Sequence, residues 1–292
     1  MSNGTTDAYP PPTPAPPPPK SDRPRVVWLH TQPEHYFNCM MDDLAAGKEA
    51  GGVEWIAGFQ RRGPGWYTEN AVPKLAPTIF LKPLPGKEKE PAGMFGREHA
   101  DWRADLLPLQ PDALIVSGYG SRTAREMLAY CRGAGIPVAM WTDSNIRSQR
   151  GRTFRERLRR RLKRRFLRPI MRNASLILVA NSLGTAYWRY FGYPRERLVL
   201  CPCYSDYPRL EAARARARGD VLRQFGLAPE AKYFFTAARL AHAKGLDLMI
   251  DAFRAGGFAE RGYQYLIAGT GPLKEALEAR ARDGGVTWAI RL

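Results

Sequence analysis

Short apolar runs that alternate with helical stretches constrain this chain more than any other feature. Arg25–His30 (RVVWLH) is followed by runs at Val53–Phe59, Thr78–Leu84, Ala113–Tyr119, Pro137–Asp143, Ser175–Asn181 and Leu198–Tyr204. Most are rich in β-branched or aromatic residues and bounded by Gly, Pro or Asn, as strands are. Helical patterns lie between several of them, at Tyr36–Leu44, Arg122–Arg132 and Thr185–Phe191. Strands and helices in alternation dictate a parallel sheet covered on both faces, hence an α/β fold.

Tyr233–Phe253 (YFFTAARLAHAKGLDLMIDAF) condenses the same pattern into one unit. Tyr233, Phe234 and Phe235 form a run too short for a helix and typical of a buried strand. Arg239 and Lys244–Gly245 follow in a loop, and Leu246, Met249, Ile250 and Phe253 mark a helix. Two cations beside a helix N-terminus, where unbonded N–H groups and the positive dipole end face outward, suit a diphosphate. A solvated Arg and Lys on an ordinary βα turn would satisfy the same spacing. Further on, Tyr265–Ala268 reads as a strand and Gly269–Thr270–Gly271–Pro272 as a turn. Leu273, Leu277 and Ala281 then mark the buried face of another helix. Two consecutive βα units begin a Rossmann-like half.

AARLAHAKGLDLMIDAF followed by YLIAGTGPLKEAL resembles the signature of retaining, GT-B-fold glycosyltransferases of family 4 (glycosyl transferases group 1). That signature runs roughly GRL-x4-KG-x2-L-x3-AF and then GxGP-x3-L; Ala238 stands at its glycine. The resemblance implies a GT-B-like chain of two Rossmann-like domains. It gives Arg239 and Lys244 the catalytic task of gripping the diphosphate of a UDP- or GDP-linked sugar and stabilising the departing nucleoside diphosphate. Gly245, Gly269 and Gly271 complete the donor pocket. The implied reaction is hexosyl transfer with retention to a glycan, polysaccharide or lipid-linked acceptor, with no metal and no cofactor beyond the donor itself.

The resemblance extends to Ala180–Leu183 (ANSL) and Phe191–Pro194 (FGYP), where the family's first domain closes. Cys201–Asp206 (CPCYSD) stands at the place of a PNGVD-like crossover. The domain reading is therefore a disordered Pro-rich tail at 1–24, an acceptor-side Rossmann-like domain at 25–209 and a donor-binding domain at 210–292. A helical stretch, Leu210–Phe225, opens the last, and Val286–Ile290 reads as its third strand. The family carries an E-x7-E element further downstream that contacts the donor sugar and ribose, yet no Glu follows Glu278. The second domain is thus read as truncated, able to hold a diphosphate but short of the surfaces for nucleoside and sugar. That puts the activity of the chain as it stands in question.

On the acceptor side, the Thr31–His35 loop (TQPEH) lies beyond the carboxyl end of the first strand, where α/β domains present ligand-facing residues. It lacks the family's glycine pair and is flanked by His30 and His35, which become acceptor-side candidates; a packed strand-end His is the plain alternative. Asp143, in WTDSN, is placed either to orient an acceptor hydroxyl or to cap the next helix. Gly118 and Gly120, in SGYGS, allow close backbone approach to a substrate.

Charge is concentrated rather than spread. Arg147–Arg172 holds thirteen Arg or Lys and one acid, a local +12 within a chain total of +17. Thr153 and Glu156 have capping-box spacing, and Phe154, Leu158, Leu162 and Phe166 recur every fourth residue. These predict a helix with a narrow apolar stripe, bent or ended near Pro169. So many like charges call for a counter-charge. An anionic membrane surface is the expected one, contacted by Arg159, Arg160, Arg161, Lys163, Arg164 and Arg165. A solvated helix face competes with that reading. So does nucleic acid, which lacks a recognition motif here; a non-catalytic basic protein working through this helix is the alternative to an enzyme.

Nine prolines before Arg25 favour polyproline II in the tail. No apolar run is long enough to span a membrane and no signal peptide is evident, so the expected location is cytoplasmic, peripheral on the inner face of the membrane. Cys39, Cys131, Cys201 and Cys203 are too few and scattered for a disulfide framework, and Cys201-Pro-Cys203 has no partner pair, so no metal ligands are assigned.

Overall fold

The computed structural model describes residues 19–47, 52–60, 72–85, 99, 101–149, 153–204 and 206–282. The strand expected at Val286–Ile290 and most of the Pro-rich tail lie outside them. The chain divides into two compact units, Met1–Asp206 and Tyr207–Leu292.

In the first unit, seven parallel strands form one sheet: β1 (Arg25–His30), β2 (Glu54–Phe59), β3 (Thr78–Phe80), β4 (Ala113–Ser117), β5 (Val138–Thr142), β6 (Leu176–Val179) and β7 (Leu198–Leu200). Their order is β3-β2-β1-β4-β5-β6-β7, so the direction of winding reverses between β1 and β4. The crevice beyond the carboxyl ends at such a reversal is where open α/β sheets bind ligands.

Side-chain alternation assigns the two faces. Val27, Leu29, Leu114, Val116, Val138 and Met140 face one way, packing on α2 (Trp102–Leu106), α3 (Arg122–Ala134), α4 (Phe154–Asn173) and α5 (Ser182–Phe191). Trp28, Ala57, Phe59 and Ile115 face the other way, toward Phe37 and Met41 of α1 (His35–Ala45). The register Val27↔Ile56 and Val27↔Leu114 keeps like faces together. Arg25 is buried at the start of β1, paired with Glu54 at 2.8 and 3.1 Å and donating to the Leu109 carbonyl at 2.7 Å. Lys20, within the residues read as tail, reaches Asp112 at 2.9 Å.

The basic helix forms as α4, with both bonds of the capping box between Thr153 and Glu156. It runs through Pro169 to Asn173, so of the bend or end expected there the helix does not end. Pro169 faces solvent, while Leu167 and Ile170 on either side are buried and hold the turn down, offsetting the one lost backbone bond. The four-residue stripe is likewise only partly used. Phe166 packs on the core, but Phe154, Leu158 and Leu162 are 79%, 49% and 59% exposed.

The second unit begins with two helices, α6 (Tyr207–Arg214) and α7 (Arg218–Gln224), where the sequence suggested one. Residues 209–216 are exposed, so no buried face enforces continuity across the break. Next come β8 (Lys232–Ala237), α8 (Leu246–Ala255), β9 (Tyr263–Ala268) and α9 (Lys274–Arg282). The strands pair in parallel, Phe234↔Tyr265 through Ala237↔Ala268. Leu246, Ile250, Phe253, Tyr265, Ile267 and Leu277 form the core on the α8 and α9 side. β8 corrects the expectation of a buried strand, since Phe235 points to the other face and is 66% exposed.

Candidate functional site

Two sites emerge, one per unit. In the first unit the crevice at the β1/β4 reversal opens into a cavity of about 340 Å³. His30 from the end of β1, Ser117 and Gly118 from β4, Thr142 and Asp143 from β5, and Glu34, Tyr36, Trp141 and Cys203 line it. Gly118 takes φ +78°, a left-handed turn that favours glycine, and donates its N–H to the Trp141 carbonyl at 2.8 Å.

His30 is buried, its Nδ1 3.1 Å from the Gln32 carbonyl and its Nε2 3.2 Å from the Tyr36 hydroxyl. A carbonyl can only accept, so in the neutral ring Nδ1 carries the proton and Nε2 is left as an acceptor facing the Tyr36 hydroxyl, whose one proton the Glu34 carboxylate also attracts. Burial holds the imidazole below its ordinary pKa, although Glu34 and the Gln32 carbonyl pull the other way. Burial and the Glu34 carboxylate together push the Tyr36 phenol far up. The cavity thus presents a neutral imidazole, a protonated phenol and two acids, Glu34 and Asp143. That set can orient and deprotonate hydroxyls rather than bind anions. Asn145 caps the turn after β5, accepting the Arg147 N–H at 2.8 Å.

The two histidines that flank the loop part company. His30 enters the cavity, whereas His35 is exposed at the start of α1, with Cys39 Sγ 3.7 Å from its Nε2. Glu34, Tyr36, Trp141 and Cys203 were not among the candidates. Glu34 and Tyr36 bracket His35 in sequence, and a heavier weighting of the whole β1–α1 loop would have found them. Cys203 arrives from a distant segment, which Trp141 holds by donating to the Cys201 carbonyl at 3.1 Å.

In the second unit the loops that carry Arg239, Lys244 and the two turn glycines are joined by backbone interlock. Beyond β8 and β9 the two loops continue to bond: Ala238 N–H to the Ala268 carbonyl at 2.9 Å, Leu240 N–H to Thr270 at 2.8 Å, and Leu273 N–H to Leu240 at 3.1 Å. The glycines make this approach possible. A Cβ at Gly269 would lie 1.9 Å from the Ala238 oxygen, and one at Gly271 2.4 Å from the Leu240 oxygen. Leu240 is fully buried, and its neighbour Arg239 is exposed between clamped residues. The loop then makes a 3-10 turn, His242–Lys244, and Gly245 at φ +60° passes the chain into α8. Lys244 is exposed immediately before the first turn of α8. Arg239, Lys244, Gly245, Gly269 and Gly271 therefore belong to one interlocked loop pair that leads into the α8 N-terminus, the kind of helix start that in general suits an anion.

The six basic candidates on α4 divide. Lys163 lies over the rings of Tyr187 (5.1 Å) and Phe191 (5.8 Å), and Arg164 donates to the Tyr190 carbonyl at 3.1 Å, so both serve the packing of α4 on α5. Burial, with help from Arg159, lowers the Lys163 pKa. Arg159, Arg161 and Arg165 are exposed and Arg160 is half-buried. No helix among the described residues is long and apolar enough to cross a membrane.

No protein-family model and no curated protein sequence matches the chain. Solved structures do. Anabaena HepE in complex with UDP-glucose superposes with a TM-score of 0.57 at 13% identity, covering 92% of this chain and 69% of that one. A UDP-N-acetylglucosamine 2-epimerase gives 0.53 at 13%, covering 93% and 70%. A putative enzyme of the same name from Listeria monocytogenes gives 0.53 at 12%, covering 92% and 68%. The fold is GT-B-like. At these identities the likeness establishes the α/β architecture with its two Rossmann-type units, and the chemistry rests on the residues above.

Proposed function

We infer that the chain binds a nucleotide-sugar and belongs to a glycosyltransferase that passes the sugar to a glycan or lipid-linked acceptor at an anionic membrane surface. The observation that carries this reading is the interlocked loop pair of the second unit. Two loops held by backbone bonds, with glycine wherever a side chain would intervene, hold the backbone on either side of Arg239, and Lys244 directly precedes the start of α8, which supports a shared phosphate-binding role. A pyrophosphate bound there would gain charge-assisted hydrogen bonds, and the same contacts would strengthen as the glycosidic bond breaks and charge builds on the leaving diphosphate. UDP- and GDP-linked sugars both fit that chemistry. Structures of the same fold contain UDP and UDP-glucose, which supports the choice of ligand.

The first-unit cavity supplies acceptor-side chemistry. Asp143 and Glu34 can take hydrogen bonds from sugar hydroxyls, and the neutral His30–Tyr36 pair is suited to orienting one of them. His35 lies outside that cavity lining and has no acceptor contact assigned. What supports the membrane surface is α4. Exposed Phe154, Leu158 and Leu162 with Arg159 and Arg161 beside them form an apolar strip edged by cations, the pattern of a helix lying in a headgroup layer. Retention of configuration remains part of the proposal through the resemblance of the two loop motifs.

The test is a transfer assay with labelled UDP- and GDP-hexoses and extracted membrane lipid. Label is expected in a lipid or glycan product that disappears in Arg239→Ala. Neither product nor nucleotide protection of the second unit, with steep salt-dependent vesicle binding retained, would instead establish a non-catalytic basic protein. Epimerised donor without transfer would move the chain to the chemistry named for the epimerases.

A further inference from the structure

Three unlike side chains meet on the surface of the first unit, and none of them lines the cavity. Cys39 Sγ lies 3.7 Å from His35 Nε2 and 3.8 Å from Asp206 Oδ2, and one ligand atom from each of the three residues fits within 4.8 Å of the others. His35 and Cys39 share one face of α1 at a spacing of four, the spacing with which helices present paired metal ligands. Asp206 comes from a segment 167 positions away. We propose that His35, Cys39 and Asp206 form a zinc site that clips α1 to the segment by which the chain leaves its first unit.

Geometry and ligand chemistry both favour zinc. Tetrahedral zinc bonds of about 2.3 Å to sulfur and 2.0–2.2 Å to nitrogen or oxygen place S···N and S···O at about 3.6 Å. The observed 3.7 and 3.8 Å require almost no movement, and rotation of the exposed His35 ring closes the rest. Thiolate, imidazole and carboxylate together suit zinc better than the hard cations, which take oxygen alone.

The surroundings are already fixed. Tyr204 hydrogen-bonds Asp43, tying residues 201–204 to α1, and Trp141 holds the Cys201 carbonyl. Asp42 is occupied by the N–H groups of Lys74, Leu75 and Ala76 at 2.9, 2.6 and 3.2 Å, so the fourth position falls to water. Binding releases the thiol proton: the Cys39 S–H bond breaks, the Zn–S bond forms, and the proton goes to solvent, with no change of oxidation state. The residues were invisible as a set in the sequence because the third ligand is so remote from the other two.

The test uses the untagged full chain under reducing conditions, titrated with Zn2+ against a chromophoric chelator and with Co2+ by absorption. One metal per chain is expected, with tetrahedral Co2+ bands and a thiolate-to-cobalt charge-transfer band. Cys39→Ser should abolish that band. His35→Ala and Asp206→Asn should weaken Zn2+ binding at least as much as loss of an outer-shell partner does, about 10–100-fold. Cys203→Ser, in the neighbouring cavity, should change nothing, and Zn2+ should raise the thermal midpoint of the parent but not of Cys39→Ser. Binding without a thiolate band, or a band that survives Cys39→Ser and is lost in Cys203→Ser, would overturn the assignment. So would a Cys39→Ser protein that is folded by circular dichroism and retains full Zn2+ affinity.

Discussion

Replacing Gly269 by alanine sets a methyl carbon 1.9 Å from the Ala238 carbonyl oxygen and 3.0 Å from its carbon. Ordinary C···O contacts begin at about 3.3 Å, so the two loops must separate by roughly 1.4 Å. Neither side can yield cheaply, because the obstacle is backbone. Ala238 and Leu240 are tied to Ala268 and Thr270 by bonds of 2.9 and 2.8 Å, both of which a separation of that size breaks. Two net hydrogen bonds at about 0.5–1.5 kcal/mol each, with about 1–3 kcal/mol for overpacking, give a loss of about 2–6 kcal/mol. For a unit of this size each kcal/mol moves the midpoint by about 4–8 °C, so unfolding should shift down by at least about 8 °C. Calorimetry of the full chain reads the shift, and Gly133→Ala provides the contrast. Gly133 lies within α3, where an added Cβ meets nothing within 4 Å, and alanine there should stabilise by about 0.5–1 kcal/mol. If Gly269→Ala unfolds within about 0.5 kcal/mol of the parent, the interlock is not what fixes the loop.

Other consequences follow from the same structure. Glu54→Ala leaves the buried Arg25 guanidinium without its carboxylate, with the uncharged Leu109 carbonyl still accepting from it, and should cost about 3–5 kcal/mol in urea unfolding, against near-neutrality if the pair is dispensable. Because burial lowers the His30 pKa, the unfolded chain binds the extra proton first. Stability should therefore fall as pH drops through the ordinary histidine range near 6.5, and His30→Asn should lessen that fall; equal pH slopes for the two proteins would remove His30 as its source. Phe154→Ser with Leu158→Ser and Leu162→Ser should release the protein from anionic vesicles while leaving its thermal midpoint almost unchanged, since all three are exposed. A large loss of stability would mean the strip is core instead.

The sequence carried the architecture further than the chemistry. Short apolar runs such as RVVWLH located strands because each must bury one or both faces, and Thr153 with Glu156 marked the start of α4 because the capping box is local. What stayed hidden depends on distant chain segments. Nothing near Phe235 says that its face of β8 is exposed. Nothing near Pro169 says that Leu167 and Ile170 would anchor the turn around it. The cavity drew His30 and Asp143 from readable strand ends, but Cys203 reached it only through the sheet order. His35, credited with an acceptor role by its place in the same loop, faces Cys39 and Asp206 because one residue of helix register separates inside from outside. The glycines of the GTG turn were visible as a turn. Their reason, contact with the Ala238–Leu240 backbone, required the fold.

Isothermal titration of UDP and GDP into the full chain measures the donor-side claim most directly. With charge-assisted contacts contributing about 1.5–3 kcal/mol each, Arg239→Ala and Lys244→Ala should each weaken binding of the preferred nucleotide about 10- to 150-fold. Arg261→Ala, at the opposite end of β9 where its guanidinium lies over the Phe258 and Tyr263 rings, should leave it unaltered. Undiminished affinity in both loop variants would contradict the account.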